Sequence, residues 1–479
     1  MEYSYHSQFY LYRSSKMDEH KVIKIGTIIT KIFLIWLLIQ FLVQTFVTYR
    51  LHLSGGFWSV VWLWKEIILL VIAWFLAFFL RRRKIREARW TTLPIKKFVM
   101  GFVITIAVSF IVSLFINQSG LSMYFISIRY SMTGFFTFIV FFVLAYMFFG
   151  TREMNLTKRY AKVMKTLLVC SLARRGIIWL MPNLLSHVGY NQYNYEWTVG
   201  IAPPAAYYTQ YDSGYVRNQF LFERPISRGF FLIAFWPLFF IVCIKKKPRS
   251  EKAVWGGLYG LAILSTFSRA ARIAWAIQIV LLVLMQMNRK SRRIAIYTLI
   301  PVFLLFAGVT FVGRDQIITR EFSNTGHFRL VIEALKKVAD RPIWWQWAGF
   351  AWPASVYLWP GRTYNPENQY LQIWLEYGIL GFAWWMYLYI YLHIIGYKAY
   401  KMEKEEKNKI VKKTKQYGII VFAFSLGLFG LSIEWFVLHS FVDRMIVYPF
   451  MALFGIAYAL YLKSLHKANL ENKKWWDFA

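Results

Sequence analysis

"FVMGFVITIAVSFIVSLFIN", residues 98–117, runs for twenty residues without a charged side chain, and "RRRKIREARWTTLPIKK", residues 81–97, comes directly before it. A helix needs roughly 20 predominantly apolar residues to cross the hydrocarbon of a bilayer. The first stretch therefore reads as a membrane span and the second as a loop held among lipid headgroups. The same alternation recurs along almost the whole chain.

Of the 479 residues, 58% are hydrophobic, 20% aromatic and only 17% charged, so a bilayer is the solvent this composition suits. The expected fold is an all-α polytopic membrane protein, residues 1–479 forming a single transmembrane domain. Twelve spans are expected, at roughly 27–49, 56–80, 98–117, 124–149, 163–182, 229–244, 253–268, 270–288, 295–312, 368–396, 417–436 and 445–463. The pair on either side of Ser268 is short. Five connections are strongly basic: residues 81–97, "TREMNLTKRYAK" (151–162), "KKKPRSEK" (245–252), "NRKSRR" (288–293) and "YKAYKMEKEEKNKIVKKTK" (397–415). With an even number of spans all five fall on one side. The positive-inside rule makes that side cytoplasmic, together with both termini.

The net charge of +34, from 57 basic and 23 acidic residues, raises the thought of nucleic acid. Its placement between apolar spans points instead to anionic lipids as partners, with no nucleic acid. Cys170 and Cys243 both lie inside apolar runs and are not expected to form a disulfide. The first apolar run is too long for a cleavable signal and follows a polar stretch.

Two long segments remain on the outer side, about 183–227 and about 313–367, and outer segments of that length usually carry function. In the second, Phe328, Val331, Leu335 and Val338 share one helical face, opposite Glu333, Lys336, Lys337 and Asp340. That pattern predicts an amphipathic helix in the outer interface. The first is rich in aromatics, including Trp197, Tyr207, Tyr208 and Tyr211. Such rings stack on sugars, and they also belong to the aromatic belt of a membrane interface.

The outer cations are mostly arginines, among them Arg217, Arg228, Arg269, Arg272, Arg329 and Arg341. Arginine keeps its charge in any environment and forks two donors onto phosphate oxygens. For any single one the alternative is an ion pair with Asp212, Glu223, Asp315, Glu321 or Asp340; as a set they favour a phosphate-bearing ligand. The densest cluster is "STFSRAARIAWAIQ" (265–278), where two apolar spans meet at the outer surface. Arg269 and Arg272 are three residues apart, hence neighbours on one helix face, and the helix start offers N–H donors to an anion. The alternative is a pair of arginines snorkelling at a helix end.

Arg174 and Arg175 sit in the middle of an apolar run, where a lipid-facing arginine costs about 2.5–3.5 kcal/mol. They therefore line a cavity or join a buried ion pair. Lys65 and Glu66 are read as structural, paired through neighbouring helices. His187 and His327 lack the companions of a metal site, so neither metal nor cofactor is expected.

"TYNPENQYLQIWLEYGILG" (363–381) reads as a helix capped by Asn365, with Pro366 at its first position and Glu367 and Asn368 at its positive end. On that helix Leu371, Trp374, Gly378 and Gly381 lie within about 40° of Glu367. The two glycines would let another helix pack closely. Two readings stand for Glu367: ordinary stabilisation of a helix start, worth about 0.3–1 kcal/mol, or a base kept ionised to accept a proton. Glu376, nine residues on, falls near the opposite face, so the two carboxylates do not form a pair.

Three segments, "LSTFSRAARIAWAI", "HFRLVIEALKKVADRP" and "ENQYLQIWLEYGILG", resemble in order and spacing the signatures of the bacterial O-antigen ligase/polymerase superfamily. The resemblance spans roughly residues 210–385. It implies a multi-span glycosyltransferase of the bacterial cytoplasmic membrane, with its active site on the periplasmic face. Such an enzyme moves oligosaccharide from undecaprenyl diphosphate without a nucleotide sugar or metal. By position, Arg269 and Arg329 would contact the diphosphate, with Arg272, Arg217 and Arg228 assisting. Glu367 would be the base and Asn368 would orient it or the acceptor. A chain-length regulator protein is a further partner implied. Ligases of the superfamily typically carry histidine where this chain has Glu367, which leans the expectation towards the polymerase of a surface polysaccharide. The alternatives are a ligase acting on lipid A core and, from another class, a transporter or flippase of lipid-linked glycan. The latter is disfavoured by the lack of a two-half repeat and by polar weight in outer loops instead of at midplane.

Overall fold

A computed structural model describes residues 65–74, 76–77, 95–116, 120–149, 154–180, 208–209, 216–217, 225–287, 321–340, 350–351, 364–405, 412–436 and 443–472, with isolated positions 28, 32, 118, 222 and 441. Eleven named helices run through them. They are α1 (Lys96–Ile111, continued by a π turn, Val112–Ile116), α2 (Leu121–Ser131), α3 (Thr133–Phe148), α4 (Met154–Leu180) and α5 (Pro225–Phe239, continued by Phe240–Ile244). Then follow α6 (Arg249–Leu264), α7 (Arg269–Gln286), α8 (Glu321–Asp340), α9 (Gln369–Glu405), α10 (Lys412–Glu434) and α11 (Arg444–Asn472). A two-residue antiparallel ladder, β1 (Tyr208–Thr209) with β2 (Val216–Arg217), departs from the purely helical expectation.

Among the described residues five helices are long and apolar enough to cross a membrane: Lys96–Ile116, Ile226–Ile244, Gln369–Met402, Tyr417–Glu434 and Ile446–His466. α2 and α3, bent by 63° about Met132, make a sixth if counted as one broken span. The expected spans at 163–182, 253–268 and 270–288 are helical as α4, α6 and α7. The span at 295–312 lies outside the described residues, and those at 27–49 and 56–80 are only partly inside them. The described residues therefore establish a mostly helical membrane protein with five or six such spans.

In hydrocarbon the helices gain little from mutual burial of apolar surface, so close packing and interhelical hydrogen bonds must hold them together. α10 lies in the interior, against α5, α7, α9 and α11, and α11 packs along α3. A Cβ at Gly427 of α10 would run into the Ala234 carbonyl of α5. Gln278 of α7 ties three helices, its Nε2 donating to Ile233 O of α5 at 3.1 Å and Leu426 O of α10 at 2.9 Å. Trp385, Trp435, Phe135 and Phe441 close a ring of aromatic contacts, with centroids 5.1–5.8 Å apart, at the C-terminal end of α10. On the periphery, α1 exposes Met100, Val103, Ile111 and Phe115, a surface suited to lipid.

Candidate functional site

The Glu367 segment is built from local turns before it becomes a helix. Asn365 Oδ1 accepts from the Glu367 amide at 3.1 Å, an Asx turn. Glu367 itself has φ 47°, the left-handed region, which costs a side-chain-bearing residue on the order of 1–3 kcal/mol and concentrates at functional sites. Asn368 then caps α9: its Oδ1 accepts from Leu371 N at 3.0 Å. Its Nδ2 donates to Phe436 O at 3.0 Å, and Gln369 N donates to Trp435 O at 2.8 Å. Two carbonyls at the end of α10 thus pin the start of α9.

This corrects the sequence expectation. Asn365 does not cap the helix, and Glu367 stands before the cap instead of in the first turn. Both asparagines are competent caps locally; the carbonyls of Trp435 and Phe436 decide between them. The projected stripe below Glu367 falls with the same correction. Leu371 is buried against α8, and Gly378, at φ 63° and ψ −172°, breaks α9 into 369–377 and 379–405. That conformation is essentially closed to residues with a Cβ. A Cβ on Gly381 would meet the Cβ of Tyr377 across the break. The glycine pair therefore makes a kink, not a seat for another helix.

The Ser268 segment repeats the device. Phe267 has φ 52°, and Ser268 caps α7, its Oγ accepting from Ala271 N at 3.3 Å. Both polar motifs singled out in the sequence, Ser268-Arg269 and Glu367-Asn368, thus enter a helix through a left-handed residue followed by a side-chain cap. They account for two of the three such non-glycine residues among those described, Gln118 being the third. Arg269 is half-buried on the first turn of α7. Arg272 turns back towards the preceding loop, Nη2 lying 3.4 Å from Leu264 O and the guanidinium 5.5 Å from the Phe267 ring.

Arg228 is buried inside the bundle. Nη1 donates to Ser265 Oγ at 2.8 Å and Nη2 to Ser171 Oγ at 2.9 Å, so its fork joins α5 to α4 and to the turn before Ser268. Arg329 lies exposed on α8. α8 packs on the start of α9 through Ala334 and Val338, which meet Tyr364, Leu371 and Leu375. Lys337 sits 4.8 Å from the Tyr364 ring centroid and 3.9 Å from Glu333. Burial, and then the Glu333 charge, push the Tyr364 hydroxyl well above the usual phenol range, so it stays protonated. α7 packs on α10, whose end holds Asn368 and Gln369. The start of α9 is thereby flanked by the helix carrying Arg329 and, through α10, linked to the helix carrying Arg269.

Arg217 and Tyr208 are register partners across the β1–β2 ladder. Arg174 and Arg175 fall on α4, with side chains outside the description, as is that of His327. Trp197, Tyr207 and Tyr211 lie outside the described residues. Glu66 pairs with Arg129 of α2, Oε1 to Nε at 2.7 Å, a partner the sequence did not name. Two acids missed as site candidates are fully buried, Glu376 and Glu434. Glu376 Oε2 accepts from Ser127 Oγ at 2.7 Å, while Tyr377 OH is hydrogen-bonded with Ser127 and Ser131 just before the kink. The signal was available: an acid within a membrane span is a functional candidate by default.

Residues 253–386, from α6 to beyond the kink in α9, match the family model described as O-Antigen ligase. Over those residues the chain is similar to the O-antigen ligase/polymerase superfamily, and the match supports that resemblance. It takes in Ser268-Arg269, Arg329 and Glu367-Asn368, and it begins after residues 210–252, which the sequence resemblance had included. No curated protein matches the chain. Members of this superfamily are membrane enzymes of ligase or polymerase type acting on lipid-linked glycan, and an O-antigen ligase/polymerase-type membrane enzyme is what the family and the helices support here.

Proposed function

We infer that this protein polymerises undecaprenyl-diphosphate-linked oligosaccharide on the outer face of the bacterial inner membrane. The observation that carries the reading is the paired construction of the Ser268-Arg269 and Glu367-Asn368 motifs within the matched segment. Each places a left-handed residue and a side-chain cap at a helix start. In the reaction the acceptor hydroxyl oxygen attacks the anomeric carbon of the donor sugar. The bond from that carbon to the diphosphate oxygen breaks with inversion, and Glu367 takes the acceptor's proton. Arg269 and Arg329, assisted by Arg272 and Arg217, neutralise the departing diphosphate, so charge developing in the transition state meets fixed cations. No metal is needed in this scheme.

Asn368 acts as a positioning residue, because both ends of its amide are engaged by Leu371 N and Phe436 O. Arg228 supports the Ser265–Ser268 turn from behind. Arg174, Arg175 and the aromatics Trp197, Tyr207, Tyr208 and Tyr211 are assigned to the glycan side of the cavity. The expected twelve-span arrangement, with both termini in the cytoplasm, would set Arg269, Arg329 and Glu367 on the outer side.

The ligase reading is favoured by the description of the matching family. The deciding experiment gives the purified protein one lipid-linked repeat unit in liposomes. Chain growth supports the polymerase; transfer only after lipid A core is added supports the ligase. Movement of intact donor across the bilayer with no new glycosidic bond overturns both in favour of a transporter.

A further inference from the structure

Two membrane helices are broken, and their breaks meet. α2 and α3 bend by 63° about Met132, and α9 turns at Gly378. Irregular backbone at membrane depth is tolerated where protein or a cavity surrounds it, and here each break covers the other. Ser127 Oγ of α2 donates to Glu376 Oε2 at 2.7 Å. Tyr377 OH is hydrogen-bonded with Ser127 and Ser131, and Trp385 Nε1, beyond the break, donates to Ser131 O at 3.3 Å. Glu376, Tyr377, Ser127 and Ser131 are all fully buried. Ser127 and Ser131 lie outside residues 253–386, so the family likeness assigns them nothing.

The break makes the first part of α9, residues 369–377, a short rod with polar ties at both ends. At its start, Trp435 O accepts from Gln369 N and Phe436 O from Asn368 Nδ2. At its far end, Glu376 and Tyr377 fasten it to α2. Glu367 immediately precedes the cap of this rod. Residues 369–377 span about 14 Å at 1.5 Å per residue, so a rotation of about 4° about Gly378 carries the Glu367 end about 1 Å. At a reacting group that displacement costs roughly a hundredfold, and a glycine hinge offers no side chain to resist it. Glu376 Oε1 has no hydrogen-bond partner, although the Ala351 backbone and the Gln372 side chain approach the carboxyl. What the tie uses is thus one acceptor oxygen, which an amide also supplies. We propose that Glu376 is a positioning residue: by accepting from Ser127 it fixes the angle of 369–377 about the Gly378 break, and with it the place of Glu367. This rests on the reading of Glu367 as the base, and adds the group that holds the rod from its other end.

The test is read first without turnover, by hydrogen exchange and mass spectrometry on the full chain in liposomes. Ser127→Ala and Glu376→Met each remove the tie. Peptides within 369–377 are then expected to exchange about five- to tenfold faster, the equivalent of one lost hydrogen bond, while those within 379–405 keep the wild-type rate. Equal acceleration on both sides of the break means general loosening and overturns the proposal, as does no acceleration at all. In turnover on the lipid-linked repeat unit, both variants lower kcat about ten- to a hundredfold and leave KM for the donor unchanged. Glu376→Gln keeps an acceptor oxygen and is expected to hold kcat within about threefold of wild type. A Glu376→Gln as slow as Glu376→Met overturns the proposal, because the acid would then be needed for its proton or charge. Ser127→Ala/Glu376→Met is no slower than the slower single variant, since both changes break one bond; multiplied losses overturn the proposal. If Glu376→Met does not fold, Ser127→Ala and Glu376→Gln carry both measurements. The expected exchange pattern in a protein that forms no glycosidic bond rejects the transferase reading and keeps the tie. Wild-type exchange and normal transfer in Ser127→Ala reject the tie alone.

Discussion

Asn368 offers the sharpest test of how the site is held. Its two amide atoms do separate jobs: Oδ1 caps α9 at Leu371 N, and Nδ2 reaches Phe436 O at the end of α10. Asn368→Ser keeps a cap and loses the tie to α10. With Phe436 exposed just past the end of α10, that loss costs about 1 kcal/mol. Asn368→Ala loses the cap as well, a further cost of about 1 kcal/mol. Asn368→Asp keeps the cap, loses the donor and sets a carboxylate against the Phe436 carbonyl, so it is expected to be no better than the serine variant. These are modest changes in stability, readable as ordered shifts in thermal unfolding in detergent: wild type, then serine, then alanine. Activity responds out of proportion. Glu367 immediately precedes the cap, and a displacement of about 1 Å at a reacting group is enough to cost roughly a hundredfold. A coupled assay of chain growth on the lipid-linked repeat unit is therefore expected to show kcat down by about ten- to a hundredfold in Asn368→Ser, with KM for the donor little changed. Wild-type kcat in Asn368→Ser and Asn368→Asp, with the stability order intact, would refute the view that the α9–α10 tie positions Glu367.

Glu367→Gln is expected to unfold at the wild-type temperature and to lose about 10²–10⁴ in kcat, the usual contribution of a general base; wild-type polymer lengths in a complementation assay would remove the assignment. Gly378→Ala forces a Cβ into a conformation reserved for glycine. Its cost of about 1–3 kcal/mol or more should appear as lowered thermal stability and poor yield in the membrane, and a neutral result would mean that the break in α9 is not obligatory. Arg269→Lys keeps the charge and loses the bidentate fork, so weaker binding of a polyprenyl diphosphate is expected in a direct binding measurement, and unchanged affinity would take Arg269 out of the diphosphate site.

The features legible in the sequence are those whose causes are local. The apolar runs of α1, α5, α9, α10 and α11 are long enough to span hydrocarbon whatever their neighbours. Ser268 caps α7 because its hydroxyl needs only the N–H three residues on. The amphipathic period of α8 needs only its own residues, and the motifs around Arg269, Arg329 and Glu367 marked the segment that the family match covers.

Tertiary structure decided what depended on a partner far away in the chain. Asn365 and Asn368 are equivalent caps by type, and the carbonyls of Trp435 and Phe436 chose the second. Gly378 fits a packing motif equally well as a break, and the chain's path past Tyr377 made it a break. Arg228 has the same side chain as Arg329, yet hydroxyls from α4 and the Ser265 turn hold one inside the bundle, while α8 leaves the other exposed. Period, length and capping are properties of a segment. Which polar group meets which across a bundle is set by how the helices pack, and no single segment contains that information.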